Sequence, residues 1–252
     1  MTVDGDRVVG PRGRFAVIIP STNTVVEHDF TAIRPEGVTF HYGRMYIANP
    51  QMGSDEHFTE LLEQIRESIN VAIRDVVTCE PDALLMGMSA ETFWGGLAGN
   101  QAFIDRVTEK SGGLPVTTGA SATRAALDAF GVERIAVFSP YQPIADQQVG
   151  DYFREAGFDV TAITGLRCPT ATSIAEVPGS DLDRVISAID SPDADAIVQV
   201  GTNLSFVQQA ASLEAQLDKP VIPINVATLW HGLRVAGITD RFTDRGRLLA
   251  EF

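Results

Sequence analysis

The chain has 252 residues, 44% hydrophobic and 21% charged, enough for a sizeable core and at odds with whole-chain disorder, collagen or coiled coil. Its 19 basic against 33 acidic residues leave a net charge of −14, which argues against nucleic acid and anionic membrane as partners. No apolar run reaches the length of a membrane span, and the polar segment Met1–Arg14 has no signal-peptide core, so it reads as a loose leader before the first strand.

In chain order, short apolar runs that end in Gly, Pro, Ser or Thr alternate with longer segments of helical period. Phe15–Ile19 is followed by Pro20-Ser21-Thr22-Asn23-Thr24. Apolar residues at Phe58, Leu61, Leu62, Ile65, Ile69 and Ile73 predict a helix over 58–77. Ala83–Met86 ends at Gly87-Met88-Ser89, and helices are expected over 101–111 and 121–130, separated by a run at 114–117. The order then repeats. Arg134–Phe138 ends at Ser139-Pro140-Tyr141, Ala196–Val200 ends at Gly201-Thr202-Asn203, and Val221–Ile224 precedes a helix over 227–236. Continuous rather than alternating runs predict strands covered on both faces, and their alternation with helices predicts parallel sheets.

The strongest internal match is between Pro115…Gly131 and Pro220…Gly237, whose end-to-end spacings of 16 and 17 positions agree to one residue. The expected fold is therefore α/β, with two similar halves, each a parallel sheet flanked by helices. The halves are related by a pseudo-two-fold, with the active site between them: 1–118 with 226–252 form the first, 119–225 the second. Ligands in open parallel sheets sit beyond the carboxyl ends of the strands, so the four loops named above should meet in one cleft.

Gly87-Met88-Ser89 and Gly201-Thr202-Asn203 hold matching places. Each offers a Gly, backbone N–H groups and a hydroxyl or amide where a helix is expected to start, an arrangement suited to an anion despite the net charge. A plainer role is that Ser89 and Thr202 only cap helices. Asn23, with Ser21, can donate to a substrate oxygen or fix a turn. Tyr141 can supply a phenolic donor or pack with its hydroxyl at the surface. Glu91 can serve as a general acid/base if burial raises its pKa, or stabilise a first helical turn. Phe93-Trp94 reads as an apolar wall or as core. Mid-helix His231 reads as structural.

Cys79 and Cys168, with no Cys-x-x-Cys, fit a reducing cytoplasm rather than a disulfide or cysteine zinc site. The four histidines show no metal-ligand spacing, so no catalytic metal is expected, although this does not bear on a carboxylate-held magnesium ion.

These loops resemble the Asp/Glu racemase superfamily, in its maleate isomerase and arylmalonate decarboxylase branch. Pro20-Ser21-Thr22-Asn23-Thr24-Val25-Val26-Glu27 resembles the opening motif of the isomerases, and Met86-Gly87-Met88-Ser89 the dioxyanion loop of the decarboxylase. Tyr141 falls on the substrate-binding Tyr, Gly201-Thr202-Asn203-Leu204 on the second catalytic loop, and Ser173 near a ligand-binding Asn. The resemblance runs over nearly the whole chain from Phe15.

It implies a cofactor-independent enzyme acting on a small carboxylate, and a cytoplasmic homo-oligomer. It also exposes a departure: in the family, racemases and isomerases carry a cysteine on each of two loops and the decarboxylase one, on the second loop, and these positions align with Gly87 and Gly201 here. Cys168, in the segment before Ser173, is the one thiol expected near the cleft. It would be reactive if local dipoles lowered its pKa, and otherwise is a small buried apolar residue.

Without loop thiols, two-base racemisation and cysteine addition to a double bond lose their groups, whereas stabilising an enediolate by donors from Met88, Ser89, Tyr141 and Thr202 remains feasible. A decarboxylase-like lyase is accordingly expected ahead of a maleate isomerase. Behind these two stand a hydrolase of a small cyclic amide or ester, using Glu91 or His231, and a non-catalytic carboxylate-binding homologue.

Overall fold

A computed structural model of the protein describes residues 7–252; positions 1–6 of the leader lie outside the described residues. The first sheet contains β1 (Gly13–Pro20), β2 (Val38–Met45), β3 (Ala83–Met86) and β4 (Val116–Thr117), all parallel, in the order β2-β1-β3-β4. The second contains β5 (Arg134–Ser139), β6 (Asp159–Gly165), β7 (Ala196–Gln199) and β8 (Val221–Pro223), in the order β6-β5-β7-β8. The same order twice is the expected pair of α/β halves.

The repeat extends to single hydrogen bonds. Asp82 N–H donates to the Arg14 carbonyl at 2.8 Å, and its carboxylate accepts Arg14 N–H at 2.9 Å. In the second half, Asp195 N–H donates to the Arg134 carbonyl at 2.8 Å, and its carboxylate accepts Arg134 N–H at 2.9 Å. Each aspartate ties the start of a central strand to its neighbour.

β1, β3, β5 and β7 are buried along nearly their whole length, as continuous apolar runs require. The edge strands β2 and β6 are absent from the sequence-based reading. Both are mostly half-exposed and mix polar with apolar residues (VTFHYGRM and DVTAITG), because one face looks toward solvent.

In the first half, α1 (Val25–Ala32) follows β1, α2 (Asp55–Val76) follows β2, and α3 (Ala90–Phe93) with α4 (Gly96–Lys110) follow β3. Helix α2 begins three residues before the first apolar position of its pattern, because the Ser54 side chain accepts the His57 N–H at 3.3 Å and caps it. The stripe Phe58, Leu61, Leu62, Ile65, Ile69 and Ile73 is buried. Each such side chain contributes about 1.5–3 kcal/mol of transfer free energy.

Helix α5 (Gly119–Phe130) leads from the first sheet to the second, where α6 (Pro143–Glu155), α7 (Gly179–Ile189) and α8 (Val207–Leu217) follow β5, β6 and β7. Helix α9 (Ile224–Val235) returns to pack on α5 and β3, so closely that a side chain at Gly232 would strike Leu85. Among the described residues no helix is long and apolar enough to cross a membrane.

Candidate active site

All four strand-end loops contribute to one cavity of about 60 Å³ between the halves. It is lined by Pro20 at the end of β1 with Thr22 and Asn23 beyond it, Met88, Ser89 and Ala90 after β3, Tyr141 after β5, and Gly201, Thr202 and Asn203 after β7. Leu61 and Ile65 from α2, with Ala171 and Ile174, complete it as an apolar wall. Among the described residues no charged side chain lines it.

The polar side is a hydrogen-bonded set that crosses from one half to the other. Ser89 Oγ lies 2.6 Å from the Tyr141 hydroxyl and accepts the Thr202 N–H at 3.3 Å. Thr202 Oγ1 donates to the Gly87 carbonyl at 3.1 Å and accepts from Asn23 Nδ2 at 3.3 Å. Ser89 and Tyr141 share one hydrogen bond and carry two hydroxyl hydrogens between them. Whichever of them donates, one hydrogen remains for a ligand oxygen. Burial raises the Tyr141 pKa above that of a free phenol, so the group stays protonated.

A further set of residues holds these groups in place. Asn23 Oδ1 accepts the Val25 and Val26 N–H groups, both at 3.0 Å, so this side chain caps α1 with its oxygen and reaches Thr202 with its nitrogen. Asn203 Oδ1 accepts Thr24 N–H at 3.0 Å, and its Nδ2 donates to the Ala171 carbonyl at 2.9 Å. Asn225, on α9, donates from Nδ2 to both the Thr202 carbonyl at 3.0 Å and Asp29 at 2.8 Å. Ser139 Oγ accepts Tyr141 N–H at 3.0 Å and donates to Asp146, while Arg167 donates to the Tyr141 carbonyl at 2.6 Å.

Several sequence-derived candidates lie elsewhere. The Glu91 carboxylate turns away from the cavity and pairs with Arg66 Nε at 2.8 Å, which leaves it no route to a ligand held by Ser89. Cys168 is buried and lines no part of the cavity, and desolvation pushes its thiol up to about 11, the reverse of activation. Ser173 Oγ donates to the Thr170 carbonyl at 2.8 Å and closes a local turn, so its neighbour Ile174 is the one that reaches the cavity. Ser21 Oγ accepts Ile47 N–H at 2.9 Å outside the lining. Gly87 contributes its carbonyl to Thr202 rather than a surface to the cavity.

Phe93 is fully buried against Tyr152 and Phe153, as core rather than lid. His231 sits near Thr117, with its pKa lowered by burial. A pure capping role also fails: Ser89 makes no side-chain cap bond to α3, and α8 begins at Val207, four residues beyond Asn203.

The sequence reading placed Pro20 and Thr22 in a cleft loop without giving either a role, and missed Ala90, Leu61, Ile65, Ala171 and Ile174 as lining residues. Leu61 and Ile65 stand four apart on the apolar stripe of α2, but periodicity identifies the buried face of a helix and not which part of that face meets a cavity.

Neither loop has room for a larger side chain where the resemblance puts a thiol. A Cβ at Gly87 would lie 2.5 Å from Ile19 Cγ2 and 3.0 Å from Val26 Cγ1. Gly201 has φ +107°, and a Cβ there would run into the Pro140 ring.

The arylmalonate decarboxylase family profile matches residues 16–249 of the chain. A maleate isomerase of Pseudomonas putida is 27% identical over 250 residues, covering 94% of this chain and 97% of its own length. The arylmalonate decarboxylase of Bordetella bronchiseptica is 29% identical over 155 residues, covering 61% of this chain and 64% of its own. In fold, a maleate isomerase of Pseudomonas putida solved with maleate superposes with a TM-score of 0.86 at 24% identity, covering 94% of this chain and 97% of that one. A liganded double mutant of arylmalonate decarboxylase gives a TM-score of 0.80 at 22% identity, covering 95% of this chain and 100% of that one.

Proposed function

The chain belongs to the arylmalonate decarboxylase family, and we propose that within this family of isomerases and lyases it is a cofactor-independent lyase that removes CO₂ from a small malonate-type dicarboxylate. One observation carries this reading: an uncharged cradle without a thiol, built on the Ser89–Tyr141–Thr202 set, faces an apolar wall of Leu61, Ile65, Met88 and Ile174.

The retained carboxylate receives the spare hydroxyl hydrogen of the Ser89–Tyr141 pair. The carboxylate to be lost lies against the apolar wall, where its charge is poorly solvated. The electrons of the breaking C–C bond flow into the retained carboxylate to give an enediolate, and CO₂ departs. A donor aimed at the growing charge contributes about 3 kcal/mol to lowering the barrier. A proton from water, or one relayed by the hydroxyl pair and replaced from water, then reaches the α-carbon.

A second reading, maleate cis-trans isomerisation, draws on the maleate isomerases that match nearly the full chain. The maleate cis-trans isomerase of Nocardia farcinica was solved with a covalently bound succinylcysteine intermediate, and the missing loop thiols weigh against that chemistry here.

Incubation with methylmalonate, phenylmalonate and maleate in D₂O, followed by mass spectrometry, separates these readings. The lyase releases CO₂ from methylmalonate or phenylmalonate and leaves deuterium at the α-carbon of the product. Fumarate from maleate would overturn the lyase in favour of the isomerase. Binding without turnover in all arms would favour a non-catalytic homologue. Ser89→Ala and Tyr141→Phe should each weaken carboxylate binding, and no change in either would displace the site.

A further inference from the structure

A second cavity, of about 220 Å³, lies behind the first and is lined by Ile65, Arg66, Ile69, Asn70, Glu91, Phe103 and Arg106. Ile65 belongs to both and forms the wall between them. The two cavities are chemically opposite. The first has no charged group among the described residues, whereas the second has two guanidinium groups, one carboxylate and an apolar floor of Ile65, Ile69 and Phe103.

Its charges are incompletely paired. Arg66 Nε meets Glu91 Oε1 at 2.8 Å, but Arg106 stands 4.0 Å from the same oxygen, beyond hydrogen-bond reach, with its guanidinium over the Phe103 ring. Glu91 is 7% exposed, and its Oε2 is buried with no hydrogen-bond partner among the described residues. A buried carboxylate oxygen left without a donor is costly, and Glu91 lines the same cavity as the Arg106 guanidinium. The terminal torsion of a glutamate is soft, so a small rotation turns the unpartnered oxygen toward the cavity.

We propose that this second cavity binds a small organic acid bearing a hydrogen-bond donor on the carbon next to its carboxylate, that is, a 2-hydroxy or 2-amino acid with a short apolar side chain. The carboxylate takes the cavity-facing edge of Arg106, the adjacent O–H or N–H donates to Glu91, and the apolar side chain lies on Ile65, Ile69 and Phe103. An acceptor and a donor set apart from each other are met by neighbouring groups of one molecule. Because Glu91 follows Ser89 by two residues, on the short helix that Ser89 opens, the ligand is placed to act on the first cavity from behind.

The test is calorimetric titration of the full chain with 2-hydroxy-4-methylpentanoate, leucine and 4-methylpentanoate. At least one of the first two should bind, and at least tenfold more tightly than 4-methylpentanoate, which lacks the donor. Arg106→Ala should abolish this binding, Glu91→Gln should reduce the preference for the donor-bearing acid, and Ser89→Ala should leave both intact. The proposal falls if none of the three acids binds, if all bind alike, if Arg106→Ala binds as the parent does, or if Ser89→Ala abolishes binding and so assigns the ligand to the first cavity. None of these readouts depends on turnover, so the assignment of the lyase reaction stands or falls separately.

Discussion

The loops that follow β3 and β7 occupy the same place in two sheets of identical strand order, yet they do different work. Gly87-Met88-Ser89 leads straight into α3 and offers a hydroxyl paired with Tyr141. Gly201-Thr202-Asn203 precedes a longer turn, and most of its polar atoms are committed: the Thr202 carbonyl to Asn225, the Asn203 side chain to Thr24 and Ala171. A duplicated frame therefore supplies one loop whose hydroxyl shares a spare hydrogen with Tyr141 and one with fixed dipoles. The asymmetry lies in what packs behind each loop, not in the backbone of the sheets.

A side chain placed at each glycine challenges this contrast most directly. Gly201→Ala combines a left-handed φ of +107° with a collision against Pro140 and should cost roughly 3 kcal/mol or more. Gly87→Ala meets only the packing conflict with Ile19 and Val26 and should cost about 1–3 kcal/mol. Thermal unfolding measures both, and equal losses would mean that the second loop is no more constrained than the first.

Next in size is the loss of the hydroxyl pair. Ser89→Ala removes the acceptor of Thr202 N–H and the partner of Tyr141, and kcat for CO₂ release should fall about 10²-fold. Thr202→Val keeps the N–H and deletes only the hydroxyl, so its effect on kcat should be several-fold smaller. The reverse ranking would assign the working donor to the second loop.

Asn225→Ala leaves the Thr202 carbonyl and Asp29 without their shared donor and should destabilise the fold by about 1–3 kcal/mol, measured by denaturant titration. A matched loss in the Tyr141 loop is expected from Ser139→Ala, which removes the acceptor of the Tyr141 N–H.

Alkaline stability should respond least. Burial raises the folded-state pKa of Tyr141 above its ordinary value. Its neutral form therefore contributes stability that is fully present below about pH 10, the unfolded tyrosine value, and is lost as pH rises further. Tyr152, buried and pushed up to about 12, adds to the same slope. Tyr141→Phe should flatten denaturation curves above about pH 10 and leave them unchanged at about pH 7–9. Deprotonation of Tyr141 within the ordinary range would steepen them earlier.

Much of the fold is legible in the residues. Val17 and Ile18 beside Leu85 and Met86, and Ile135–Val137 beside Ala196–Val198, are runs that only a doubly covered strand needs, and their register in the sheets follows. The edge strands β2 and β6 are not legible in that way, because a strand half in solvent alternates weakly and mixes residue types.

Of the site, Asn23, Ser89, Tyr141 and Thr202 stand at strand ends, where position alone marks them. Ser21, Glu91, Cys168 and Ser173 are as close in sequence but turn elsewhere. Side-chain direction depends on what each residue packs against: Arg66 on α2 draws Glu91 away, and the Thr170 carbonyl takes the Ser173 hydroxyl.

Periodicity and residue type, both local properties, were enough to set the class: two α/β halves, strand-end loops rich in small polar residues, and glycines where the resembling enzymes place thiols. Packing in three dimensions chose which hydroxyls share a spare hydrogen, which carboxylate is drawn into an ion pair, and that Leu61 and Ile65 form the wall of the cavity. Those outcomes depend on contacts between residues far apart in the chain, such as Ser89 with Tyr141 and Thr202, and on the free energy of burying each polar atom with or without a partner.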